Sequence, residues 1–508
     1  MKMKKLTILP ASAALMFAAC SEPLEEAAEI EPTPSMLDEH LTINGDAEDT
    51  PIVLGEKLNN PYTLDNMRLA IEELNKKHLT KSAIRTDIKP THYYIKFKPK
   101  NEDDINRLES DTTIFFYSYP LDYEIIECGS NYHDPELPAD VPTYQYCAVA
   151  VDQKLPDVEY EILEELYILE DVNVYEDGKG NCKPSLSKRA KVDYWEELED
   201  EAVELAGLNT NKQPTLKSKK WNPLGRISYK DNFRNGIVPL EGVPVHIRKN
   251  MFVGHQCCTD EYGRFAFSKL KGRVDYSIKW KRSDFKIKPN TGANAAETTL
   301  KKDSKSDCIV VFEHGGNAWK YASVFRAAHY YYYGDIGKLT RPKNSSLAIR
   351  ASDKEPSDKY GCFREKLGTD IHIYYMNTRD SRDIFATTIH ELAHQAHHDF
   401  SNVYSSCETI VKESWARGVQ WYLTNRYWYN GYIPDYHTNY TLIIPDLHDY
   451  DQKNFIGHDL VHGYTIEQSE NAISNAKTWN DWKTNLKNLY NNETEKYLDD
   501  LFNAWGNY

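Results

Sequence analysis

The stretch Ile389–His394, which reads IHELAH, decides the fold of the last third of this chain. Apolar residues recur through it at helical spacing; they are Phe385, Ile389, Leu392, Ala393 and Ala396. Asp380 or Ser381 precedes them, at the place where a helix N-cap is favoured. The pattern predicts a helix that begins near Asp380 and buries one apolar face.

Two histidines of this helix, His390 and His394, are separated by four positions and therefore project from the same side. Their Cβ atoms are expected to lie about 5–6 Å apart, close enough for both imidazoles to bind one metal ion. Glu391 lies between them and would face the open side of the metal. The spacing predicts a Zn²⁺ site.

A catalytic zinc ion has three protein ligands and keeps its fourth position for water. A third histidine six residues after His394 is excluded, because Phe400 stands there. A glutamate from a second helix is the other common solution, and Glu413 follows His394 after eighteen residues. Apolar residues surround it at helical spacing, namely Val411, Trp415, Gly418, Val419 and Tyr422. We therefore predict a second helix that brings Glu413 to the metal.

The spacing HExxH-x18-E, with the words HELAHQ and ESWA, resembles the gluzincin zinc metallopeptidases, in particular their aminopeptidase-N and thermolysin branches. The resemblance is confined to the region around the motif. It implies that His390, His394 and Glu413 bind Zn²⁺. It also implies that Glu391 is the catalytic base, and that the reaction is hydrolysis of a peptide bond.

Three positions near Glu413 depart from the pattern of that family. Lys412 stands where an asparagine usually precedes the glutamate. Arg417 and Gln420 stand where acidic side chains that orient the histidines are expected. A GxMEN-like string is also absent upstream, which argues against a true aminopeptidase of that branch. The sequence therefore leaves open what orients the imidazole rings.

Peptide hydrolysis by this class also uses a donor that stabilises the oxyanion. Tyr464 is our first choice for that donor, ahead of His462 and His458, all of which follow the metal helix. His397 and His398 have no ligand spacing beyond their proximity to the motif. We predict that they lie at the rim of the site.

The whole chain has 508 residues, which is too long for one core and predicts several domains. Its formal charge of −16 argues against nucleic-acid binding, because phosphate contacts need clustered Lys and Arg. The nine cysteines contain no CxxC pair and have irregular spacing. They predict neither a structural zinc site nor a disulfide connectivity.

Residues 1–19 are predicted to be a lipoprotein signal peptide. Three lysines precede the apolar stretch Leu6–Ala19, which is too short to span a bilayer. The run Phe17–Cys20 resembles the lipobox of bacterial lipoproteins, in which Cys20 would be lipidated. Phe17 replaces the usual aliphatic residue, so signal cleavage without lipidation is the alternative.

Residues 20–57 are predicted to be an acidic disordered tether. From Cys20 to Thr50 there are ten Asp and Glu and no Lys or Arg, so the segment repels itself and cannot bury enough apolar surface to become ordered. An acidic run at this place resembles the surface-export signals of Bacteroidetes lipoproteins. We expect an exported protein with a lipid anchor in the cell envelope, at the outer membrane and with surface exposure.

Residues 58–190 are predicted to form an α+β domain, and residues 191–220 a helical linker. Strands are expected at Thr91–Phe97, Ile114–Tyr119 and Tyr144–Val151, and helices at Glu102–Leu108 and Val158–Leu169. In the linker, Trp195, Leu198, Ala202 and Leu205 have helical spacing.

Residues 221–312 are predicted to form a small β-sandwich. Short strands alternate with turns, at Gly225–Tyr229, Val243–Arg248, Phe265–Phe267 and Tyr276–Trp280. The string Pro239–Val245 resembles carboxypeptidase regulatory-like modules. A basic cluster is predicted to be a solvated strand face, with contact to an acidic polymer as the alternative; it comprises Lys279, Lys281, Arg282, Lys286 and Lys288.

Residues 313–508 are predicted to be mainly helical and to form the gluzincin-like catalytic domain. Leu347–Ala351 and Ile371–Tyr375 are expected to be strands before the metal helix, one of them a sheet edge that binds extended substrate. The expected protein is a zinc peptidase that hydrolyses extracellular or periplasmic proteins or peptides. The alternatives are an enhancin-like peptidase directed at mucin or glycoproteins, and a silent adhesion lipoprotein that binds through Tyr427–Tyr432.

Overall fold

The computed structural model describes residues 41–43, 50–77, 84–176, 194–208, 219–343, 347–352, 361–362, 370–374, 378–427, 429–448 and 460–508. The predicted signal peptide, Cys20 and most of the acidic tether lie outside these ranges. Leu41–Tyr508 forms one compact unit, so the division into separate domains stays a prediction. No helix of the described residues has the length and hydropathy needed to cross a membrane.

The described part of the chain is mixed α/β, with several sheets. Its strands are β1 Leu41–Ile43, β2 Val53–Lys57, β3 His92–Phe97, β4 Tyr123–Glu127, β5 Gln145–Ala150, β6 Tyr160–Leu166, β7 Asn173–Tyr175, β8 Leu224–Asp231, β9 Gly236–Pro239, β10 Pro244–Lys249, β11 Val253–Cys258, β12 Arg264–Ala266, β13 Val274–Lys279, β14 Phe285–Lys288, β15 Glu297–Ser304, β16 Cys308–Phe312, β17 Leu347–Ala351, β18 Gly361–Cys362 and β19 Ile371–Ile373. Its α-helices are α1 Leu64–Lys77, α2 Glu102–Ser110, α3 Trp195–Leu205, α4 Asn317–Tyr333, α5 Ser381–Phe400, α6 Thr409–Tyr427, α7 Ile443–His448, α8 Ile466–Ile473, α9 Trp479–Leu489 and α10 Leu498–Gly506.

The N-terminal part is built on the antiparallel sheet β5-β3-β6 and on helices α1 and α3. The predicted strands at β3 and β5 and the predicted helix at α2 are confirmed. The helix expected within the linker is confirmed as α3, which packs against α1. The ring of Trp195 stacks on that of Tyr62, with centroids 6.3 Å apart. The linker helix therefore belongs to the hydrophobic core that α1 shares with the sheet β5-β3-β6.

Two predictions in this part are wrong. The segment expected as a helix at Val158–Leu169 contains strand β6, which pairs with β3 along the whole length of β3. Its Glu and Leu residues favour a helix, but the ladder hydrogen bonds and the burial of Leu166 outweigh that preference. Ile114–Tyr119 is irregular and holds only an isolated bridge from Tyr117 to Tyr146.

Two five-stranded sheets form the predicted sandwich. One has the order β1-β16-β8-β12 with β9 on β8, and the other has the order β15-β13-β10-β11-β7. Side chains from both sheets meet in one core, among them Ile227, Val245, Tyr276 and Val310. The four strands predicted here are confirmed as β8, β10, β12 and β13. The edge strands β1 and β7 come from outside residues 221–312.

A further sheet, of order β14-β17-β19-β18, connects this sandwich segment with the C-terminal part. Strand β14 comes from the predicted sandwich but pairs in parallel with β17. The strands predicted before the metal helix are confirmed as β17 and β19. The prediction that one of them is a sheet edge is wrong, because β17 lies between β14 and β19, and β18 covers the other side of β19.

The basic cluster of the sandwich segment is not a solvated face, and that prediction is wrong. Lys286 and Lys288 are buried, and Lys286 Nζ lies 2.8 Å from Glu109 of α2. Lys288 Nζ lies 3.1 Å from Asp370, the residue before β19. Burial opposes ionisation of Glu109, but the nearby lysines, with Lys286 the strongest, lower its pKa to about 2. The buried ion pairs therefore join α2 to the sheet next to the metal helix.

We predict that Lys286→Met lowers the free energy of unfolding by about 3 kcal/mol, because it leaves the Glu109 carboxylate buried without its main partner. Urea denaturation followed by tryptophan fluorescence measures the change. Lys98→Met is the matched control, since the pair of Lys98 with Glu161 is largely exposed and its loss should change stability little. Equal stability of the two variants would contradict this account of the ion pair.

Candidate metal centre

Helix α5, which carries the IHELAH stretch, is fixed at its start by the sandwich. Asp380 is its N-cap and accepts a hydrogen bond from the Asp383 backbone N–H at 2.8 Å, as predicted. The Ser381 hydroxyl donates to Asn232 Oδ1 at 2.6 Å, and the Asn232 N–H donates to Ser381 Oγ at 2.9 Å. Asn232 follows β8, so the sandwich sets where α5 begins.

The apolar face predicted for α5 is confirmed, because all five of its residues are buried; they are Phe385, Ile389, Leu392, Ala393 and Ala396. Helix α6 packs against α5, with its own residues Val411, Trp415 and Val419 buried. Gly418 of α6 lets α7 approach closely, since a Cβ there would lie 2.2 Å from Ile444. The packing of α6 between α5 and α7 fixes the position of its polar residues.

The two helices bring three potential ligand atoms together. His390 Nε2 and His394 Nε2 lie 3.2 Å apart, and each lies 3.2 Å from Glu413 Oε2. The three residues form a group that could hold a metal ion. The histidines are buried, whereas 19% of the Glu413 side chain is exposed. The structure thus brings together the three residues that were predicted as ligands. Glu413 of α6 is the one that reaches solvent.

The geometry of this group fits zinc. Ligand atoms bound tetrahedrally to Zn²⁺ at about 2.0–2.1 Å are about 3.3–3.4 Å apart, close to the 3.2 Å separations found here. Two imidazoles and one carboxylate are also the donors of a common catalytic zinc site. Ca²⁺ and Mg²⁺ prefer oxygen ligands and fit this set poorly.

The electrostatics of the group favour the ligand forms of its residues. Burial lowers the pKa of His390 to about 4, so this imidazole is neutral at pH 7. Burial opposes ionisation of Glu413, but His394 and the hydrogen bonds with both imidazoles hold the pKa of that carboxyl well below its usual range. Glu413 outweighs the effect of burial on His394 and raises its pKa. A metal ion therefore competes for this site with a proton on His394.

The ring nitrogens that face away from the group have neutral partners. With Nε2 toward the metal position, His390 Nδ1–H donates to Gln420 Oε1 at 3.2 Å, and His394 Nδ1–H donates to the Tyr404 hydroxyl at 3.3 Å. Gln420 is held in turn, since its Nε2 donates to the Tyr432 hydroxyl at 2.8 Å. Gln420 stands out in the sequence only as a departure from a family pattern, and Tyr404 was missed.

Glu391 and Tyr440 complete the site. Glu391 is buried and stands three residues before His394 on α5, so the two side chains are neighbours on the helix surface. The Tyr440 ring stacks on His390 with centroids 6.0 Å apart. Burial, the charge of Glu413 and a hydrogen bond with Glu413 raise the pKa of Tyr440, so its hydroxyl stays protonated at neutral pH. Sequence reasoning missed Tyr440, because it follows an irregular loop with no motif.

Tyr464, the first choice among the predicted oxyanion donors, has no contact with this group among the described residues. Tyr464 is buried, its hydroxyl has no hydrogen-bond partner among the described residues, and the carboxylate that acts on its pKa is that of Glu495. The His462 backbone bonds to Thr494, and His458 lies outside the described residues. Tyr440 takes the place of Tyr464 as the candidate donor.

Two other predicted site features have a structural role. His397 is wholly buried between Phe400 and Tyr404, so the prediction that it is a rim residue is wrong. His398 is partly exposed, with its ring near Tyr404. The aromatic stretch predicted to bind glycan or protein supplies Tyr429 and Tyr432 to the core; Trp428 lies outside the described residues.

Comparison of the chain with protein-family models, with curated proteins and with solved structures gives no match. The function is therefore inferred from the residues of the site and from their geometry.

We predict that Gln420→Leu weakens Zn²⁺ binding about 10- to 100-fold, because it removes the acceptor that orients the His390 ring. Competition with a chelator of known zinc affinity measures the change. Gln395→Leu is the matched control: Gln395 is also buried, but it donates to Asp399 and not to a histidine. The role given to Gln420 is wrong if both variants bind zinc equally well.

Proposed function

We propose that this protein is a zinc metallopeptidase of the gluzincin type. The observation that carries the proposal is the triangle of His390 Nε2, His394 Nε2 and Glu413 Oε2, with 3.2 Å sides, next to the carboxylate of Glu391. A structural zinc site usually has four protein ligands. Three ligands with a nearby carboxylate and a tyrosine hydroxyl are the arrangement expected of a hydrolytic site.

Zinc bound by these three residues would polarise a substrate carbonyl and increase the acidity of water. Glu391 takes the proton from the attacking water and later gives it to the leaving amine. The Tyr440 hydroxyl donates a hydrogen bond to the oxygen that becomes negative as the carbonyl is attacked. His390 and His394 keep their orientation through Gln420 and Tyr404.

We further propose that the protein acts outside the cytoplasm, anchored to the cell envelope through Cys20. The predicted signal peptide and lipobox support this placement. Cys258 is disulfide-bonded, which is typical of proteins from oxidising compartments. The substrates are then extracellular or periplasmic proteins or peptides, including the glycoproteins of the enhancin-like alternative.

The alternative of a silent binding protein has less support. Tyr429 and Tyr432, which would contact the ligand in that alternative, are buried. Two histidines, two glutamates and a tyrosine lie together in the site between α5 and α6. An adhesion protein would need none of them there. These observations favour an enzyme.

We predict that Glu391→Gln lowers kcat at least about 100-fold, because the amide cannot accept the proton from water. Zinc content should stay that of the wild type, since Glu391 is not one of the three ligands. Cleavage of a mixed peptide library, analysed by mass spectrometry, measures the activity, and elemental analysis measures the metal. Glu467→Gln, at an exposed surface pair, is the control. Bound zinc without cleavage of any peptide or glycoprotein by the wild type would overturn the proposal.

We predict that Tyr440→Phe lowers kcat about 100-fold, the usual cost of losing one oxyanion donor, with little change in zinc binding. Tyr464→Phe tests the donor that the sequence suggested, and it should keep wild-type kcat. Steady-state kinetics on one cleaved peptide compares the two variants. The opposite result, with Tyr464→Phe the slower enzyme, would show that the donor is misassigned.

A further inference from the structure

Arg417 lies one turn after Glu413 on α6, on the side of the helix that faces the metal ligands. Its guanidinium carbon is 5.0 Å from the centre of the Tyr440 ring. Its Nη1 donates to Gln420 Oε1 at 3.0 Å, the same oxygen that accepts from His390. A permanent cation therefore stands directly beside the proposed reaction centre.

Arg417 has no ion pair with a carboxylate of the described residues, and its Nε is buried without a hydrogen-bond partner among them. Arg248 and Arg326, which are more deeply buried, do have such a pair. Arg248 lies 2.9 Å from Asp275, and Arg326 lies 3.4 Å from Asp231. A half-buried guanidinium that keeps unused donors next to a metal site is an unsatisfied anion-binding group.

Two further arginines lie on the α5 side of this region. The guanidinium carbon of Arg382 is 5.5 Å from the centre of the ring of Tyr432, whose hydroxyl accepts a hydrogen bond from Gln420. Arg382 pairs with Asp383 at 3.3 Å. Arg379 donates to Thr387, which lies one turn before His390 on α5. Each of these two arginines is therefore already engaged by a neighbouring side chain.

We propose that Arg417 binds a carboxylate of the substrate next to the scissile bond, so that the enzyme prefers peptides that carry a negative charge there. This inference rests on the proposed peptidase function. A guanidinium forms two parallel hydrogen bonds with a carboxylate, and a half-buried setting strengthens them. The carboxylate is either the C-terminal one of a peptide or that of an Asp or Glu side chain, and both have the same chemistry.

A purely structural role for Arg417 makes a different prediction. If the guanidinium only holds Gln420 and Tyr440 in place, its loss slows cleavage of charged and neutral substrates alike. If it binds a substrate carboxylate, its loss removes the preference between them. The ratio of kcat/KM for matched peptides therefore separates the two roles.

The test uses two pairs of peptides based on one cleaved sequence. One pair has a free or an amidated C-terminus next to the scissile bond, and the other has Asp or Asn beside that bond. We expect the wild type to cleave the charged member of one pair about 10- to 100-fold more efficiently, the range expected for a charged hydrogen bond. Which pair shows the preference identifies the source of the carboxylate. Arg417→Gln should bring that ratio close to one, while Arg426→Gln, at the exposed end of the same helix, should keep it.

A binding measurement gives a readout apart from activity. Calorimetric titration of zinc-loaded Glu391→Gln with the same peptides should show tighter binding of the charged member, and adding Arg417→Gln should abolish the difference. Cleavage of charged and neutral peptides at equal rates by the wild type would overturn the inference alone. An equal loss on all peptides in Arg417→Gln would also overturn it, in favour of the structural role. No cleavage of any peptide by the zinc-loaded wild type would overturn the peptidase proposal beneath it.

Discussion

The packing of α6 against α5 is the constraint on which the site depends. Apolar side chains on both helices fill the space between them, and Gly418 allows α7 to press on the outer side of α6. Within this apolar packing, His390, His394 and Glu413 meet at 3.2 Å. Taking these polar groups out of water is unfavourable, and a metal ion offsets that cost. The core therefore holds the ligand atoms ready for an ion.

The rest of the chain positions that helix pair. The sandwich holds the start of α5 through Asn232 and Ser381. The sheet that contains β14, β17, β19 and β18 contacts α5 and is joined to α2 by the buried pair of Lys286 with Glu109. The N-terminal α+β part thus supports α5 through intermediate elements.

The sequence predicted the parts of the site that follow a repeating pattern, and it failed where distant pairing decides. His390, His394 and Glu413 lie on two helices whose apolar residues recur at helical spacing, so periodicity was enough to place these residues. Tyr440 reaches the site from an irregular segment and Tyr404 from a 3-10 helix of three residues, and neither carries a periodic signal. Strand β6 and the buried Lys286 were mispredicted for a related reason: their partners are remote in sequence, and local propensity contains no information about them.

Zinc should bind this chain through two histidines and one glutamate. Crystals of the zinc-loaded protein, with anomalous data collected on both sides of the zinc absorption edge, reveal whether it does. We expect a single strong peak within about 2.0–2.2 Å of His390 Nε2, His394 Nε2 and a Glu413 carboxylate oxygen. No zinc peak between α5 and α6, or an ion held there without Glu413, would show that the proposed site is wrong.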